Sequence, residues 1–140
     1  MSSHNDLNPR NLLFDGRRIW LVDWQAAFLA DRYMDLASLA NMFAGDPASE
    51  ESLLKAYFGA SPDPRQRARL GLARLVNHLF YGLMFLRMSG GAAPSGSRDL
   101  AAAHAAIGEG ALNIDSPAGQ AEYGRARFAA SLASRSARSF

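Results

Sequence analysis

His4-Asn5-Asp6-Leu7-Asn8-Pro9-Arg10-Asn11-Leu12-Leu13-Phe14-Asp15-Gly16-Arg17-Arg18-Ile19-Trp20-Leu21-Val22-Asp23 is the stretch whose reading decides the fold. Residues 4–11 are rich in Asn, Asp and Pro, side chains that favour ordered loops over helix or sheet. A short apolar segment from Asn11 to Phe14 follows, and Asp15-Gly16 is a hairpin turn signal. Ile19-Trp20-Leu21-Val22 is β-branched and aromatic and runs into Asp23. Residues 11–23 therefore predict a two-stranded hairpin with an amide at one outer end and a carboxylate at the other. A hairpin sets its two ends side by side, so Asn11 and Asp23 can reach one ion.

The polar residues of this stretch keep the spacing H-x-D-x-x-x-x-N over 4–11, and Asp23 follows twelve residues past Asn11. That is the arrangement of a kinase catalytic loop followed by a metal-binding aspartate. Phosphoryl transfer spreads charge over phosphate oxygens, so such a site needs Mg²⁺. Mg²⁺ takes hard oxygen ligands in octahedral geometry, commonly one or two carboxylates with phosphates and water. Asp23 is the candidate carboxylate ligand and Asn11 the candidate amide oxygen. Asp6 is the carboxylate that would face the acceptor hydroxyl and take its proton. His4 reads as structural. A lone Asp-x-x-x-x-Asn is common, and an aspartate after a strand is often a turn residue or a cap; the order of the whole set around a hairpin carries the reading.

Outward from the hairpin the chain becomes helical. No period is clear over 24–33. Leu36, Leu39, Ala40 and Phe43 predict a helix over 34–44 ended by Gly45. Ser49 is a candidate N-cap for a helix over 50–58 that stops at Gly59. Ser61-Pro62-Asp63-Pro64 opens a long helix over 64–88, with Leu72, Leu75, Val76, Leu79, Phe80, Leu83 and Leu86 as its expected core stripe. Met84 and Met88 are expected as core filler. Residues 89–97 read as a flexible loop, 99–107 as a short Ala-rich helix, 117–134 as a last helix and 135–140 as a frayed tail. The expected class is α+β, mainly α, with one small β-hairpin and about five helices.

The 140 residues suit one domain, and 49% apolar content supports a globular core. There is no cysteine, hence no disulfide or thiolate metal site. No apolar run reaches 18 residues and the start lacks a secretory pattern, so the expectation is a cytoplasmic protein without a membrane span. Residues 1–63 hold nine acids and five bases, −4; residues 64–140 hold four acids and ten bases, +6. The basic half could suggest nucleic acid, but its arginines are scattered and read as solvated helix faces. No nucleic-acid partner is expected.

From His4 to Met42 the sequence closely resembles the aminoglycoside phosphotransferase and choline/ethanolamine kinase superfamily. Members show H-x-D-x-x-x-x-N, an apolar strand into D-[WF]-[EQ], here Asp23-Trp24-Gln25, and then D-L-A or D-L-G, here Asp35-Leu36-Ala37. The resemblance implies a protein-kinase-like fold, ATP as co-substrate with Mg²⁺, and a small-molecule hydroxyl as acceptor. It implies that Asp35 braces the catalytic loop from a helix start, as an acid favoured there by the helix dipole, and it makes Asn8 and Gln25 candidate substrate contacts. His78-Leu79-Phe80-Tyr81-Gly82-Leu83-Met84 looks like the choline kinases' H-F-x-W-G-x-W helix. Glu122-Tyr123-Gly124-Arg125-Ala126-Arg127-Phe128 looks like their D-Y-A-x-x-R-F helix, whose aromatics box a quaternary ammonium. Tyr81 and Tyr123 would serve that box or, equally, edge a helical core. Met84, Ala26 and Gln25 depart from the pattern, so a smaller amine, an amino alcohol or a sugar could be the acceptor. His78 reads as a hydrogen-bonded helix residue.

A kinase of this class also needs a nucleotide-covering loop, a strand lysine and a helix glutamate, all upstream of the catalytic loop. Three residues precede His4, and the single lysine, Lys55, falls in an expected surface helix. The expectation is a partial carboxy-terminal lobe over 1–134, with the catalytic loop and metal hairpin in 4–24, the helical part in 34–134 and no amino-terminal nucleotide-binding lobe. The function expected from it is the catalytic portion of a phosphotransferase that moves the γ-phosphate of ATP to an amino alcohol such as choline or ethanolamine, inactive alone. The alternatives are an aminoglycoside or other sugar kinase, and a non-catalytic remnant that associates through an exposed inter-lobe face.

Overall fold

The computed structural model describes residues 2–136, so the tail beyond Ser136 lies outside the described residues. Nine elements follow in order: β1 (Ser2–Ser3), β2 (Leu12–Phe14), β3 (Ile19–Leu21), β4 (Phe28–Leu29), α1 (Arg32–Phe43), α2 (Pro47–Phe58), α3 (Pro64–Met88), α4 (Leu100–Gly108) and α5 (Pro117–Ser136). The chain is α+β and mainly helical. It divides into two compact units, Met1–Arg74 and Leu75–Phe140, and α3 runs through the division.

In unit 1, β2 and β3 pair antiparallel with Leu12 opposite Leu21, Leu13 opposite Trp20 and Phe14 opposite Ile19. Asp15 organises the turn. Its Oδ1 accepts from the Arg17 and Arg18 N–H groups, and its Oδ2 accepts from Trp20 Nε1 at 2.7 Å. The Trp20 bond and then the backbone bonds hold the Asp15 carboxyl below its ordinary range. Gly16, at φ 91°, supplies the left-handed step of the turn. β1 and β4 form a second antiparallel pair, Ser2 opposite Leu29 and Ser3 opposite Phe28. That pair falls outside the sequence expectation, because two-residue strands carry no period.

Helix α1 starts one turn earlier than its apolar pattern, at the N-cap Asp31, whose side chain accepts from Tyr33 N–H. Helix α2 starts at Pro47, with Asp46 as N-cap accepting from the Ala48 and Ser49 N–H groups. Ser49, expected as the cap, instead donates its hydroxyl to Asp46. Pro at the first helical position needs no N–H partner and is preset in φ, which fixes the earlier start. The core of the unit is Tyr33, Leu36, Ala37, Ala40 and Ala44 from α1, Leu54 from α2, and Leu70 and Ala73 from α3. Each fully buried leucine contributes roughly 1.5–3 kcal/mol.

The long helix forms over the expected residues, but it buries a different face. Of the expected stripe Leu72, Val76, Phe80 and Leu83 are exposed and Leu75, Leu79 and Leu86 half-buried, while Leu70, Gly71, Ala73, Asn77, His78 and Gly82 are buried. The buried stripe is small and polar because the backbones it meets come close. In unit 2 an added Cβ on Gly82 would stand 2.9 Å from Phe128 N, and one on Gly124 would stand 2.8 Å from Leu86 N. Met88 is exposed, contrary to its expected role as filler. The core of unit 2 is Ala103, Ala106, Leu112, Tyr123 and Ala126, with Phe85, Leu100, Ile107 and Ile114 against it. Residues 89–97, expected as a flexible loop, are tied down: the Ser95 hydroxyl donates to Glu122 Oε2, and Ser95 N–H donates to Ala118 O.

Candidate active site

The site is built on unit 1, from the loop at 4–11, the outer end of the β2–β3 hairpin and the first turn of α1. Asp35 Oδ2 accepts from His4 N–H and Oδ1 from Asn5 N–H, both at 2.8 Å. One carboxylate thereby holds two consecutive amides of the loop. Asn5 sits in the left-handed region at φ 62°, a conformation that asparagine tolerates better than most residues. Its side-chain amide donates to Ser3 O at 3.0 Å and Ala26 O at 3.3 Å.

His4 is buried, and its Nε2 lies 2.8 Å from Val22 O. A carbonyl only accepts, so Nε2 carries the proton. His4 Nδ1 is buried without a hydrogen-bond partner, and the ring leans on Trp24 at 4.7 Å. The Val22 N–H donates to Asn11 O at 3.1 Å. Val22 is thus held at both its N–H and its C=O by the two ends of the loop. Asp23 comes next, exposed, at φ 63° and ψ 62°, and its side chain makes no capping bond. A non-glycine residue held in this region carries strain of about 1–3 kcal/mol, which clusters at functional sites.

Asn11 is buried at the end of a single turn of 3-10 helix, Pro9–Asn11. Its Nδ2 donates to Asp6 Oδ2 and to Asp6 O, both at 2.9 Å. The other end of the same amide, Oδ1, is left free to meet a cation, and one oxygen of Asp6 is left free to meet a proton. Asn8 caps the turn: its Oδ1 accepts from Arg10 N–H at 2.9 Å, and its Nδ2 donates to Asp6 O at 3.4 Å. Gln25 lies exposed in a second 3-10 turn, Trp24–Ala26.

Among the described residues there is no group of three or more His, Cys, Asp or Glu able to hold a metal ion. The donor set at the hairpin end is Asn11 Oδ1 and the Asp23 carboxylate. Two hard oxygens suit Mg²⁺, which completes its shell with phosphate oxygens and water, and do not suit a softer ion. The residues present therefore fit the ion.

The structure links His4, Asp6, Asn8, Asn11 and Asp35 by hydrogen bonds into one assembly around Val22, and Asp23 follows Val22 in the chain. Tyr81 and Tyr123 belong to unit 2. Tyr123 is buried, with Phe85 edge-on at 4.9 Å, and its hydroxyl meets Arg127 Nε at 3.1 Å and His104 Nε2 at 3.0 Å. Burial above all raises the Tyr123 phenol. Next to it along α5, Glu122 is 1% exposed and accepts from Ser95 and from Arg98 Nη1. Desolvation is the largest influence on Glu122 and pushes it up, but the Ser95 and Arg98 bonds together outweigh it and leave the carboxyl below its usual range. Asn5, Val22 and His104 were not singled out by the sequence. Asn5 had a usable signal, since Asn beside Asp in a loop suits a positive φ.

The sequence profile of the phosphotransferase enzyme family matches residues 3–70. No curated protein matches the chain. Among solved structures, a choline/ethanolamine kinase family protein from Mesorhizobium loti is similar to it, with a TM-score of 0.59 and 24% identity over 95% of this chain. The chain spans 42% of that protein's length. Residues 3–70, which match the phosphotransferase enzyme family, hold the whole loop–hairpin assembly, and the fold of the chain is similar to that of the choline/ethanolamine kinase family protein.

Proposed function

We propose that this chain carries the proton-accepting and metal-binding residues of an ATP-dependent phosphotransferase that acts on a small-molecule hydroxyl. The observation that carries the reading is the double hold on Val22. His4 Nε2 meets its carbonyl and Asn11 O meets its amide, so Asp23 is fixed relative to Asp6 and Asn11. In this reading Asp6 accepts the acceptor's proton through the carboxylate oxygen that Asn11 leaves free. Asn11 Oδ1 and Asp23 hold Mg²⁺, which when bound neutralises charge on the transferring phosphate. Asp35 and His4 position the loop, and Asn8 and Gln25 flank the acceptor. The similarity to a choline/ethanolamine kinase family protein supports an amino alcohol such as choline or ethanolamine as acceptor.

Acid placement argues against a polycationic aminoglycoside. Of the four acids in residues 75–140, Glu122 is engaged by Ser95 and Arg98, and Asp99 caps α4. Two acids are too few to line a polycation pocket there. A second reading, a binding module, is favoured by the exposed Leu13, Phe14, Ile19, Trp20, Trp24 and Leu29 on unit 1, since exposed apolar surface promotes association.

The test is transfer of labelled γ-phosphate from ATP with Mg²⁺ onto choline, ethanolamine and aminoglycosides. Asp6→Asn is expected to lower any turnover by about 10²–10⁴-fold. Turnover that survives this substitution would remove Asp6 from the mechanism. In parallel, Mn²⁺ with ATP should broaden the amide resonances of Asn11 and Asp23, and Asp23→Ala should abolish the effect.

A further inference from the structure

His104, on α4, is half-buried, and its ring centroid lies 5.7 Å from that of Tyr123 on α5. Its Nε2 stands 3.0 Å from the Tyr123 hydroxyl, the same oxygen that accepts from Arg127 Nε at 3.1 Å. Tyr123 is 4% exposed, so its O–H proton needs a partner inside the protein. A guanidinium has donors only and cannot take that proton. The proton therefore goes to His104 Nε2, which must present a lone pair. His104 is then neutral and carries its own proton on Nδ1.

The surroundings of His104 leave a second charge without an opposite partner. On α5 it faces the Tyr123 hydroxyl and, beyond it, the buried guanidinium of Arg127. From α3, His78 turns Nδ1 to the same guanidinium, 3.1 Å from Nη1, and so is an acceptor as well. The carboxylates of the unit are engaged elsewhere or exposed. Glu122 accepts from Ser95 and Arg98, Asp99 accepts from Ala102 N–H at the start of α4, and Glu109 and Asp115 are exposed. His104 is in none of the ion pairs among the described residues. A proton on Nε2 would turn the acceptor into a donor. Three donors, from Arg127, from His104 and from the tyrosine itself, would then meet at one oxygen, and the Tyr123 proton would lose its acceptor.

We propose that His104 is a proton-sensitive positioning residue: neutral, it holds the Tyr123 hydroxyl and seats α4 on α5; protonated, it releases the hydroxyl and loosens α4. Burial first, and the charge of Arg127 second, hold His104 below the ordinary imidazole range. The opened unit therefore takes the proton before the closed one does. Stability that is present above the ordinary imidazole range is lost as pH falls through it. Glu122 stays ionised in that window, because its bonds to Ser95 and Arg98 keep it below the usual carboxylate range. Any effect on an acceptor molecule rests on the phosphotransfer reading, in which Tyr123 is a candidate substrate contact; the switch itself does not.

The experiment is amide hydrogen exchange of Ala103 and Ala106, both buried on α4, in the full 140-residue chain. A proton taken up by the opened state alone raises its population by up to about tenfold per pH unit, so exchange corrected for its intrinsic rate should quicken by up to about tenfold from about pH 6.5 to about pH 5.5. His104→Gln keeps an acceptor oxygen that cannot titrate, and it is expected to abolish the acceleration. Wild-type exchange that ignores pH overturns the proposal, and so does an equal acceleration in His104→Gln, which would assign the proton to another group such as His78. Should His104→Gln not fold, the nitrogen and tyrosine resonances of the wild type decide. Nε2 is expected to be the unprotonated nitrogen in the neutral ring, and the Tyr123 ring signals are expected to follow the His104 titration with one midpoint. A protonated Nε2, or Tyr123 signals indifferent to that titration, would sink the assignment. None of these readouts is turnover, so failure of Asp6→Asn to lower turnover would bear on the phosphotransfer reading alone.

Discussion

Asp35 joins residues 30 and 31 positions apart through two bonds of equal length, and one of its partners, Asn5, sits at positive φ. Removing the carboxylate leaves two partly buried N–H donors without an acceptor and leaves the left-handed turn without its tie. Asp35→Ala is therefore expected to cost about 2–3 kcal/mol, read from the urea midpoint, and Asp35→Asn, which keeps one acceptor, about half of that. Equal loss in both variants would show that charge, not acceptor geometry, holds the loop. At this scale the sequence was most legible where chemistry restricts residue type. Phosphoryl transfer admits few donors, so Asp6, Asn11 and Asp23 stood out by type and spacing. Val22 did not, because its contribution is a main-chain N–H and C=O that any residue would supply. Arg127 stood out as the arginine of the motif that residues 122–128 resemble, but not as a buried charge, since arginine is almost never fully buried.

Among the elements, α3 has the bounds its composition predicts and an inner face turned away from Leu72, Val76, Phe80 and Leu83, with Leu75, Leu79 and Leu86 at its edge. A period of 3.6 locates apolar stripes, but it does not say which stripe is covered when a helix also carries a row of small residues. Here the covered row runs through Gly82, opposite Gly124 on α5, and each glycine lies against the other helix's backbone. Backbone cannot rotate away as a side chain can. Gly82→Ala should accordingly destabilise unit 2 by about 1–3 kcal/mol despite alanine's better helix propensity. Thermal unfolding followed by near-ultraviolet dichroism measures it. A stabilised Gly82→Ala would mean that the helices separate at no cost. The β1–β4 pair shows the other limit of sequence reading. Its register depends on Asn5 and Asp35 setting the loop between distant strands, and that information is spread over more than thirty positions.

Across the molecule, the charge asymmetry of the sequence dissolves in the fold. Divided at residue 63, the halves are −4 and +6; divided at the structural boundary, residues 1–74 hold nine acids and nine bases, and residues 75–140 hold four acids and six bases, 0 and +2. The arginines at the start of α3 belong with the acids of the first unit. Arg67 pairs with Glu51, Arg69 with Asp31 and Arg74 with Glu50. Arg74 is the most sheltered of the three and the best connected. Its Nη1 meets Glu50 Oε2 on α2 at 2.5 Å, its Nε donates to Asn41 Oδ1 on α1 at 2.9 Å, and Asn41 Nδ2 donates back to Arg74 O at 3.2 Å. One side chain thus ties three helices of the unit. Arg74→Glu sets two carboxylates together and strips Asn41 of its donor, so a loss of about 2 kcal/mol is expected in urea unfolding. Glu50→Arg combined with Arg74→Glu restores the opposite charges and should recover about half of that loss, because the bond to Asn41 stays broken. Recovery should persist in 1 M NaCl, since a partly buried pair is screened much less than an exposed one. A double variant no more stable than Arg74→Glu alone would assign the whole effect to Asn41 and leave the charge balance of the unit without energetic weight.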